Sequence, residues 1–470
     1  MRERSRIKIL RLLKKILSRL DLTNSESVEV SPTFCVLPWV HIGTKPDGTL
    51  NLCCIASSEV LKDKNSNPCR MDSDSVADIW NCHSIKKIRQ NMLAGQKISA
   101  CETCYLDESN KKQSARQKKN ADWMRRLGSH ELKKRISESL KNDGHVSSPP
   151  VYFDLRMGNK CNLRCRMCFP LNSHSLNQEI REITTAQLPF PSFYKNMVLS
   201  EDQMIFWGDS DRFLKSMDTS LLHLREIYLT GGEPMLIKAT ETLLRRACEL
   251  KVAHNINLTF HTNATIWNKN IVELLPHFAR VDIICSIDGV GKTDEYVRYP
   301  TQFGKVDDVF KKYLDLCLQQ TNIFLSIGVS ISWLNIFELP AFCNWLSKTG
   351  ASQAHSFLGV WLNMVYFPNF LSIEMLPAHL KKEAISALHL CSQILQSSSL
   401  ATAQIESDLS AISQLLEQNR LPNHEAVLDL IRQTKTFDQH RKQSLHDFIP
   451  SASRVLDYYS STTGEAHGPQ

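Results

Sequence analysis

The 470-residue sequence has no apolar run long enough to cross a bilayer and no visible secretory signal. A membrane-spanning helix needs about 20 predominantly apolar residues, so these two absences predict a cytoplasmic protein. Internal repeats and low-complexity tracts are also missing, which excludes a solenoid array and a fibrous protein. The length is ample for one large α/β domain together with smaller units.

The sequence also has little excess of charge of either sign. There are 56 Lys and Arg against 49 Asp and Glu, which gives a formal net charge of +7. Proteins dedicated to nucleic acids usually concentrate basic residues in a stripe. Basic clusters occur only at 2–19 and 111–136, and a solvated helix face explains each of them. A nucleic-acid partner is permitted but not favoured.

Residues 1–20 mix basic and apolar side chains at helical spacing. Leu10, Leu13 and Leu17 fall largely on one face, and Lys14 and Arg19 are among the basic residues that interrupt the apolar ones. The spacing predicts a basic amphipathic helix that cannot span a bilayer. Such a helix either packs on a protein surface or makes a peripheral contact with a membrane.

Cysteine, in contrast, is plentiful. Of the 15 cysteines, seven precede residue 105, three lie within 161–168, and five are scattered later. The odd total and the tight spacing fit poorly with a disulfide framework, which a chain of this size does not need. Tight spacing in a large, cytosolic chain predicts metal ligation.

The amino-acid composition and the hydrophobic pattern change along the chain. Residues 31–110 are Cys-rich with short strand-like pieces, 111–148 are charged and helical, and 371–470 are predicted as a helical C-terminal extension. Between 149 and 370, strands alternate with helices, which implies an α/β fold with parallel strands and right-handed crossovers. Six such units could close into a partial, TIM-like (β/α)6 barrel with its chemistry at the strand C-termini. The predicted strands are 151–158, the segment LREIYLTGGEP at 224–234, 256–265, 281–289, 324–333 and 355–366, and the helices 236–251, 268–278, 304–320 and 338–348.

Three cysteines in a C-x3-C-x2-C pattern follow the first strand of this array. Cys161, Cys165 and Cys168 lie in the segment GNKCNLRCRMCFP. Thiolates suit iron–sulfur clusters, and a four-iron cluster normally takes one thiolate per iron. Three ligands therefore leave one iron open, as a catalytic centre requires. A structural zinc loop would need a fourth ligand, and His174 is the one candidate nearby in sequence.

This segment resembles the signature of the radical S-adenosylmethionine superfamily, and the resemblance covers roughly 150–370. It implies a [4Fe–4S] cluster on Cys161, Cys165 and Cys168 whose open iron binds S-adenosylmethionine. Reductive cleavage would give a 5′-deoxyadenosyl radical that abstracts hydrogen from a substrate. The electron would come from an external flavodoxin- or ferredoxin-like donor.

Further motifs of this superfamily follow in the expected order. Gly231, Gly232 and Glu233 resemble its GGEP motif, which implies contacts of the backbone and the glutamate with the amino group of the cofactor's methionine part. Paired glycines let a backbone approach a ligand closely, and a carboxylate suits an ammonium group.

Residues near later strand ends complete the implied cofactor site. Asn263 closes the third strand, and Ser286 and Asp288 close the fourth, where period-two alternation predicts that they share a face. The resemblance implies that these residues bind the ribose or methionine part, that Arg298 meets the carboxylate, and that Phe169 packs near the adenine. A strand-end cap, a turn or a surface arginine is the alternative explanation.

The N-terminal cysteines resemble the SPASM and twitch modules that hold an auxiliary cluster. Cys35, Gly48 and Cys53 have the spacing of the opening of such a module, and Cys101 and Cys104 form a C-x2-C pair downstream. The resemblance implies a second [4Fe–4S] cluster on the four cysteines. Four thiolates also suit a structural zinc ion. Cys54, Cys69 and Cys82 are spare thiols that could replace a ligand, and spacing alone does not distinguish Cys53 from Cys54. The module lies before the barrel, whereas the commoner arrangement places it after.

Enzymes with SPASM or twitch modules often modify peptides or proteins, so the implied substrate is a peptide or protein. A small-molecule radical S-adenosylmethionine enzyme is the alternative within the superfamily. A metal-binding module without turnover is a third interpretation, against which the intact motifs argue.

Overall fold

The computed structural model describes residues 31–56, 59–200, 205–418 and 422–462. The basic helix predicted at 1–20, with its membrane contact, lies outside these residues. The strands are β1 His41–Thr44, β2 Leu50–Asn51, β3 Tyr152–Leu155, β4 Glu226–Leu229, β5 Asn257–Thr262, β6 Arg280–Ser286, β7 Ile323–Ile331 and β8 Phe357–Met364. The helices are α1 Val76–Trp80, α2 His83–Leu93, α3 Glu102–Ser109, α4 Ala115–Leu127, α5 Ser129–Lys141, α6 His174–Thr185, α7 Ser192–Lys195, α8 Asp211–Leu221, α9 Lys238–Glu249, α10 Lys269–Val272, α11 Lys292–Val297, α12 Phe303–Gln319, α13 Leu339–Ser347, α14 Ala378–Ser397, α15 Ala403–Glu417, α16 His424–Arg441, α17 Leu445–Phe448 and α18 Pro450–Thr462.

The chain forms two compact units that each draw on several segments. The first unit combines the described part of 1–157 with 206–228 and 246–256, and the second combines 158–205, 229–245 and the described part of 257–470. The domain boundaries drawn from sequence texture stay a prediction.

The first unit is built on the strands of the Cys-rich segment. β1 pairs antiparallel with β2, with Gly43 opposite Asn51, and parallel with β3, with His41 opposite Tyr152. The strand order in this unit is β2-β1-β3-β4. The Cys-rich segment therefore adds its first strand directly to the first strand of the predicted βα array.

Arg89 on α2 holds several parts of the first unit together. Its buried guanidinium donates to the carbonyl oxygens of Pro38 at 2.7 Å, Trp80 at 2.9 Å and Gly144 at 2.9 Å. The same group lies 4.3 Å from the centre of the Trp80 ring. Because buried carbonyls need donors, Arg89 satisfies carbonyls of the 3₁₀ turn Leu37–Trp39, of the end of α1 and of Gly144.

The second unit contains four parallel strands in the order β5-β6-β7-β8. Burial alternates along β6: Val281, Ile283 and Cys285 are fully buried, and the residues between them are partly exposed. Successive side chains of a strand point to opposite faces. One face is therefore apolar, and the other can carry polar side chains at its strand ends.

The predicted α/β class with parallel strands is confirmed, and α14 to α18 confirm the helical C-terminal extension. The helix predicted over 268–278 is wrong. Only Lys269–Val272 is α-helical, and a 3₁₀ turn over Leu275–His277 follows it, because Pro276 has no N–H and its ring blocks a continuing α-helix. Within the described ranges, no helix combines the length and apolar content needed to cross a membrane.

We expect Arg89→Leu to lower the free energy of unfolding by about 3 kcal/mol, because it leaves buried carbonyls without donors. Denaturant unfolding followed by circular dichroism measures the change. Arg125→Leu is the matched control, since Arg125 is 78% exposed in its ion pair with Asp122 and exposed pairs contribute less than about 1 kcal/mol. Equal losses in the two variants would contradict the role of Arg89.

Candidate functional site

The three central cysteines lie on an irregular loop that follows β3 in the chain and ends at the 3₁₀ turn Pro170–Asn172. The side chains of Cys161, Cys165 and Cys168 are all partly exposed. Burial raises the pKa of the Cys161 thiol to about 12 and that of Cys168 to about 11, and it raises the pKa of Cys165 as well. The raised pKa values favour the neutral thiol forms. A bound metal ion would supply the positive charge that stabilises the thiolates.

Two N–H groups lie near the sulfur of Cys161. The backbone nitrogen of Leu163 is 3.5 Å from Cys161 Sγ, and Nδ2 of Asn263 is 4.0 Å from it. Hydrogen bonds to sulfur are a means by which proteins tune iron–sulfur clusters. Asn263 also donates to Oδ1 of Asn162 at 2.9 Å, so the predicted site residue at the end of β5 contacts the cysteine loop.

The glycine pair lies against the cysteine loop through backbone contacts. Glu233 N donates to Lys160 O at 2.8 Å, and Gly232 N donates to Asn172 O at 3.2 Å. Gly232 has a φ of +61°, and a Cβ at this position would be 2.5 Å from Lys160 O. A side chain is therefore excluded at Gly232 by the cysteine loop. The predicted close approach of the glycine pair to a ligand stays a prediction. Gly231 and Gly232 remain partly exposed.

Glu233 is buried beneath this contact, with 1% of its surface exposed. Its carboxylate accepts hydrogen bonds from Met235 N at 3.1 Å, Thr262 Oγ1 at 2.9 Å and Asn263 N at 2.7 Å. Burial raises the pKa of Glu233 to about 7 although these donors lower it. A carboxylate has about four acceptor sites, so three of them are already used within the protein.

Asp288 and Arg298 form a buried ion pair, with 2.7 Å between Asp288 Oδ2 and Arg298 Nε. Asp288 Oδ1 also accepts from Ser330 N at 2.6 Å, and Asn335 donates to the Asp288 carbonyl at 2.8 Å. Burial opposes the charge on Arg298, but Asp288, Cys165 and Asp294 act to raise its pKa. Arg298 is thus a fixed cation in the electrostatic environment of the cysteine thiols.

The predicted shared face of Ser286 and Asp288 stays a prediction. β6 ends at Ser286, so the alternation does not extend to Asp288. Ser286 is partly exposed, whereas Asp288 is fully buried in its pair with Arg298.

Phe169 is part of an aromatic cluster. Its ring centre lies 5.9 Å from that of Phe193 and 6.0 Å from that of Phe367, and Phe193 and Phe367 are 4.7 Å apart. Phe367 is 58% exposed. The residue after the last cysteine therefore borders a partly open apolar surface.

Asn159 is a site candidate that the sequence analysis missed. Its side chain is fully buried, and neither of its amide atoms has a hydrogen-bond partner within the described residues. Its backbone carbonyl accepts from His174 N at 2.7 Å. Unpartnered buried polar groups are rare, and an ordered water, an ion or a ligand is a common partner for them. The available signal was its position two residues before Cys161.

In the first unit, the thiols of the predicted auxiliary site influence one another electrostatically. The thiol of Cys35 is buried, which raises its pKa, and the charges of Cys53, Cys101 and Cys104 raise it further. Burial raises the pKa of Cys101 to about 12, with Cys53 and Cys104 again as neighbours. Cys35, Cys101 and Cys104 are buried, and Cys53 is partly exposed.

The spare thiols of this unit have other neighbours. Cys54 is exposed, and after burial the main influences on its pKa are Asp154, Arg156 and Lys119. Cys69 and Cys82 contact each other. Cys53 influences the pKa of Cys35 and Cys101, and its own pKa is raised by both Cys54 and Cys104.

Across the part of the chain that the structure describes, no three His, Cys, Asp or Glu side chains are arranged to share one metal ion. Each thiolate of a four-iron cluster binds a different iron. The ligands of such a cluster therefore do not have to converge on one point.

No protein-family profile matches the chain. It is 24% identical over 233 residues to the sporulation killing factor maturation protein SkfB of Bacillus subtilis (strain 168), a match that covers 48% of each chain. The chain thus spans about half the length of this curated relative. Solved structures that resemble it include Streptococcus suis SuiB bound to the precursor peptide SuiA, at 13% identity over 83% of this chain and 76% of that chain with a TM-score of 0.33. Another is anSMEcpe with bound AdoMet, at 18% identity over 50% and 57% of the two chains with a TM-score of 0.32.

The match to SkfB, the order of the motifs and the α/β fold agree with the resemblance to the radical S-adenosylmethionine superfamily. The individual site residues stay predictions.

The titration of Glu233 makes the stability of the iron-free chain depend on pH. A glutamate in an unfolded chain titrates near 4.5, and burial raises the pKa of Glu233 to about 7. Between these values the folded chain binds the extra proton, so the contribution of Glu233 to the free energy of unfolding falls by up to about 3 kcal/mol as the pH rises.

Glu233→Gln removes this titration and keeps the shape of the side chain. We expect the stability of the variant relative to the original chain to increase between pH 5 and pH 8 in denaturant unfolding. A relative stability that is independent of pH would contradict the raised pKa.

Proposed function

We propose that this chain, which carries the signature and fold class of the radical S-adenosylmethionine superfamily, is an enzyme that modifies a peptide or protein. The observation that carries the proposal is the contact between two loops. One presents three partly exposed thiols, and the other presents a glycine pair at backbone distance from it. This contact supports a metal cluster on the first loop and, beside it, a ligand that the glycine backbone can approach closely.

The residues present fit a [4Fe–4S] cluster with one open iron. Cys161, Cys165 and Cys168 would hold it, and the amide of Asn263 would donate to the sulfur of Cys161. When bound, the cluster supplies the electron that cleaves S-adenosylmethionine and starts radical chemistry. The chain's own task is to hold the thiols, orient the cofactor and exclude water.

The partly exposed backbone of Gly231 and Gly232 is suited to the amino group of the methionine part of the cofactor. Glu233 is buried with three donors already in place, which favours a positioning role for its carboxylate. It holds the backbone of Asn263 and orders the glycine turn, and its one remaining acceptor site can receive an ammonium proton.

Arg298 is suited to the carboxylate of the cofactor. A guanidinium has five N–H donors in a planar fork. Asp288 pairs with the Nε of Arg298, and this leaves the Nη nitrogens for a ligand. Asp288 therefore orients Arg298, while the partly exposed Ser286 and Phe169 are suited to the ribose and the adenine.

The peptide substrate is supported by the relative with 24% identity, which is a maturation protein. Because that match covers half of each chain, substrate and reaction are both part of the proposal. We further propose that Cys35, Cys53, Cys101 and Cys104 hold an auxiliary [4Fe–4S] cluster, and the electrostatic influence of Cys53, Cys101 and Cys104 on Cys35 supports this set.

We expect the reconstituted enzyme to release 5′-deoxyadenosine when it is incubated anaerobically with S-adenosylmethionine and dithionite. Gly232→Ala should reduce this release at least about tenfold, because its Cβ would displace the glycine turn from Lys160. Chromatography of the quenched reaction measures the product. Gly304→Ala is the control, as a Cβ there meets nothing within 4 Å. No release by the fully loaded original protein would contradict the proposal.

The two-cluster proposal predicts about eight irons per chain. The triple variant Cys161→Ala, Cys165→Ala, Cys168→Ala should retain about four, because the auxiliary ligands are untouched. Iron, sulfide and zinc analysis measures this. A triple variant that holds zinc and no iron would rule out the auxiliary cluster.

A further inference from the structure

Helix α16, which belongs to the C-terminal extension, contacts the cysteine loop although more than 250 residues separate them. Gln433 Nε2 donates to Arg166 O at 3.1 Å, and Arg441 Nη2 donates to Arg164 O at 2.8 Å. These two carbonyls lie on either side of Cys165 in the chain. α16 thus holds the backbone before and after one predicted ligand.

The N–H groups of the same two loop residues are held by another segment. Arg164 N donates to Tyr299 O at 2.6 Å, and Arg166 N donates to Val297 O at 2.9 Å. The backbone groups on both sides of Cys165 are therefore paired outside the loop. A loop without regular structure takes its shape from such contacts.

The side chain of Arg166 forms the second connection to α16. It is 1% exposed, and its Nη2 donates to Asp438 Oδ1 at 2.6 Å. Its Nε donates to Tyr296 O at 3.1 Å, and its guanidinium lies 3.5 Å from the centre of the Tyr296 ring. Asp438 also accepts from the Tyr296 hydroxyl at 2.7 Å. A buried guanidinium requires such a charged partner.

Arg441 connects α16 to the helix that follows the loop. Its buried side chain donates to both carboxylate oxygens of Glu179 on α6, at 2.9 and 2.7 Å. Gln433, Phe437 and Arg441 lie four residues apart and share one face of α16, and the guanidinium of Arg441 lies 3.9 Å from the Phe437 ring centre. One helix face therefore contacts both the loop and its continuation.

We propose that α16 is a structural part of the candidate metal centre. Gln433, Asp438 and Arg441 act as positioning residues that fix Cys165 relative to the other two ligands. The inference rests on the proposed function for the identity of the bound cluster, but the contacts that carry it belong to the chain alone.

The test compares anaerobic holoenzyme variants that keep the size or the charge of the side chain. In Asp438→Asn and Arg441→Lys we expect iron to be released to a chelator roughly tenfold faster, as is typical when the support of a metal ligand is lost. The change that S-adenosylmethionine induces in the electron paramagnetic resonance signal of the reduced cluster should also be altered. Arg432→Lys is the matched control on the same helix, since Arg432 pairs at the surface with Glu425 and Asp429.

A second readout needs no cluster. In the iron-free chain, N-ethylmaleimide should alkylate Cys165 severalfold faster in Asp438→Asn and Arg441→Lys than in Arg432→Lys, because the loop backbone is less restrained. Mass spectrometry of the peptide that contains Cys165 measures this rate. Circular dichroism identifies a variant that fails to fold, and the other variant then carries the test.

The outcomes separate this inference from the proposed function. Iron release and alkylation rates like those of Arg432→Lys would overturn the role of α16, even with a cluster that responds to S-adenosylmethionine. If the unaltered protein shows no response to S-adenosylmethionine while the alkylation rates still differ, the proposed function fails and the role of α16 stands.

Discussion

The candidate site depends on how an irregular loop is given one shape. The segment that carries Cys161, Cys165 and Cys168 has no regular secondary structure, so its backbone groups are paired by segments distant in sequence. Residues 231–233, 297–299 and 433–441 supply these partners. Because all three segments must be folded before the thiols are in place, the site is a property of the second unit and not of the motif alone.

The burial of the site residues also determines their protonation. Bringing thiols, carboxylates and guanidinium groups together away from water opposes their charged forms. Glu233 and the cysteines have raised pKa values for this reason, while Arg298 is stabilised by Asp288. A cationic cluster core would offset this cost and stabilise the thiolate forms, and Arg298 would attract the carboxylate of a ligand. The arrangement is consistent with a preorganised cofactor site.

The features that could be predicted from the sequence depend on residues that lie close together in the chain. Cysteine spacing, the glycine pair and the strand periodicity of β3 to β8 are visible within short windows, so the α/β class and the central motifs were predictable. The end of β6 at Ser286 could not be predicted from these windows. The break at Pro276, within an apparently helical pattern, was also missed. The pairing of β1 with β3 and the contacts of α16 join residues that are far apart in the sequence. No periodic pattern in the sequence indicates these contacts. Arg166 and Arg441 look like surface residues in the sequence because their partners lie elsewhere.

The central claim is that three thiolates hold a four-iron cluster whose remaining iron binds S-adenosylmethionine. Mössbauer spectroscopy of protein reconstituted with ⁵⁷Fe tests it most directly, in the variant Cys35→Ala, Cys53→Ala, Cys101→Ala, Cys104→Ala that lacks the auxiliary ligands. We expect the addition of S-adenosylmethionine to change the signal of about one iron in four, because one iron lacks a protein thiolate. Spectra that are identical with and without S-adenosylmethionine would contradict it.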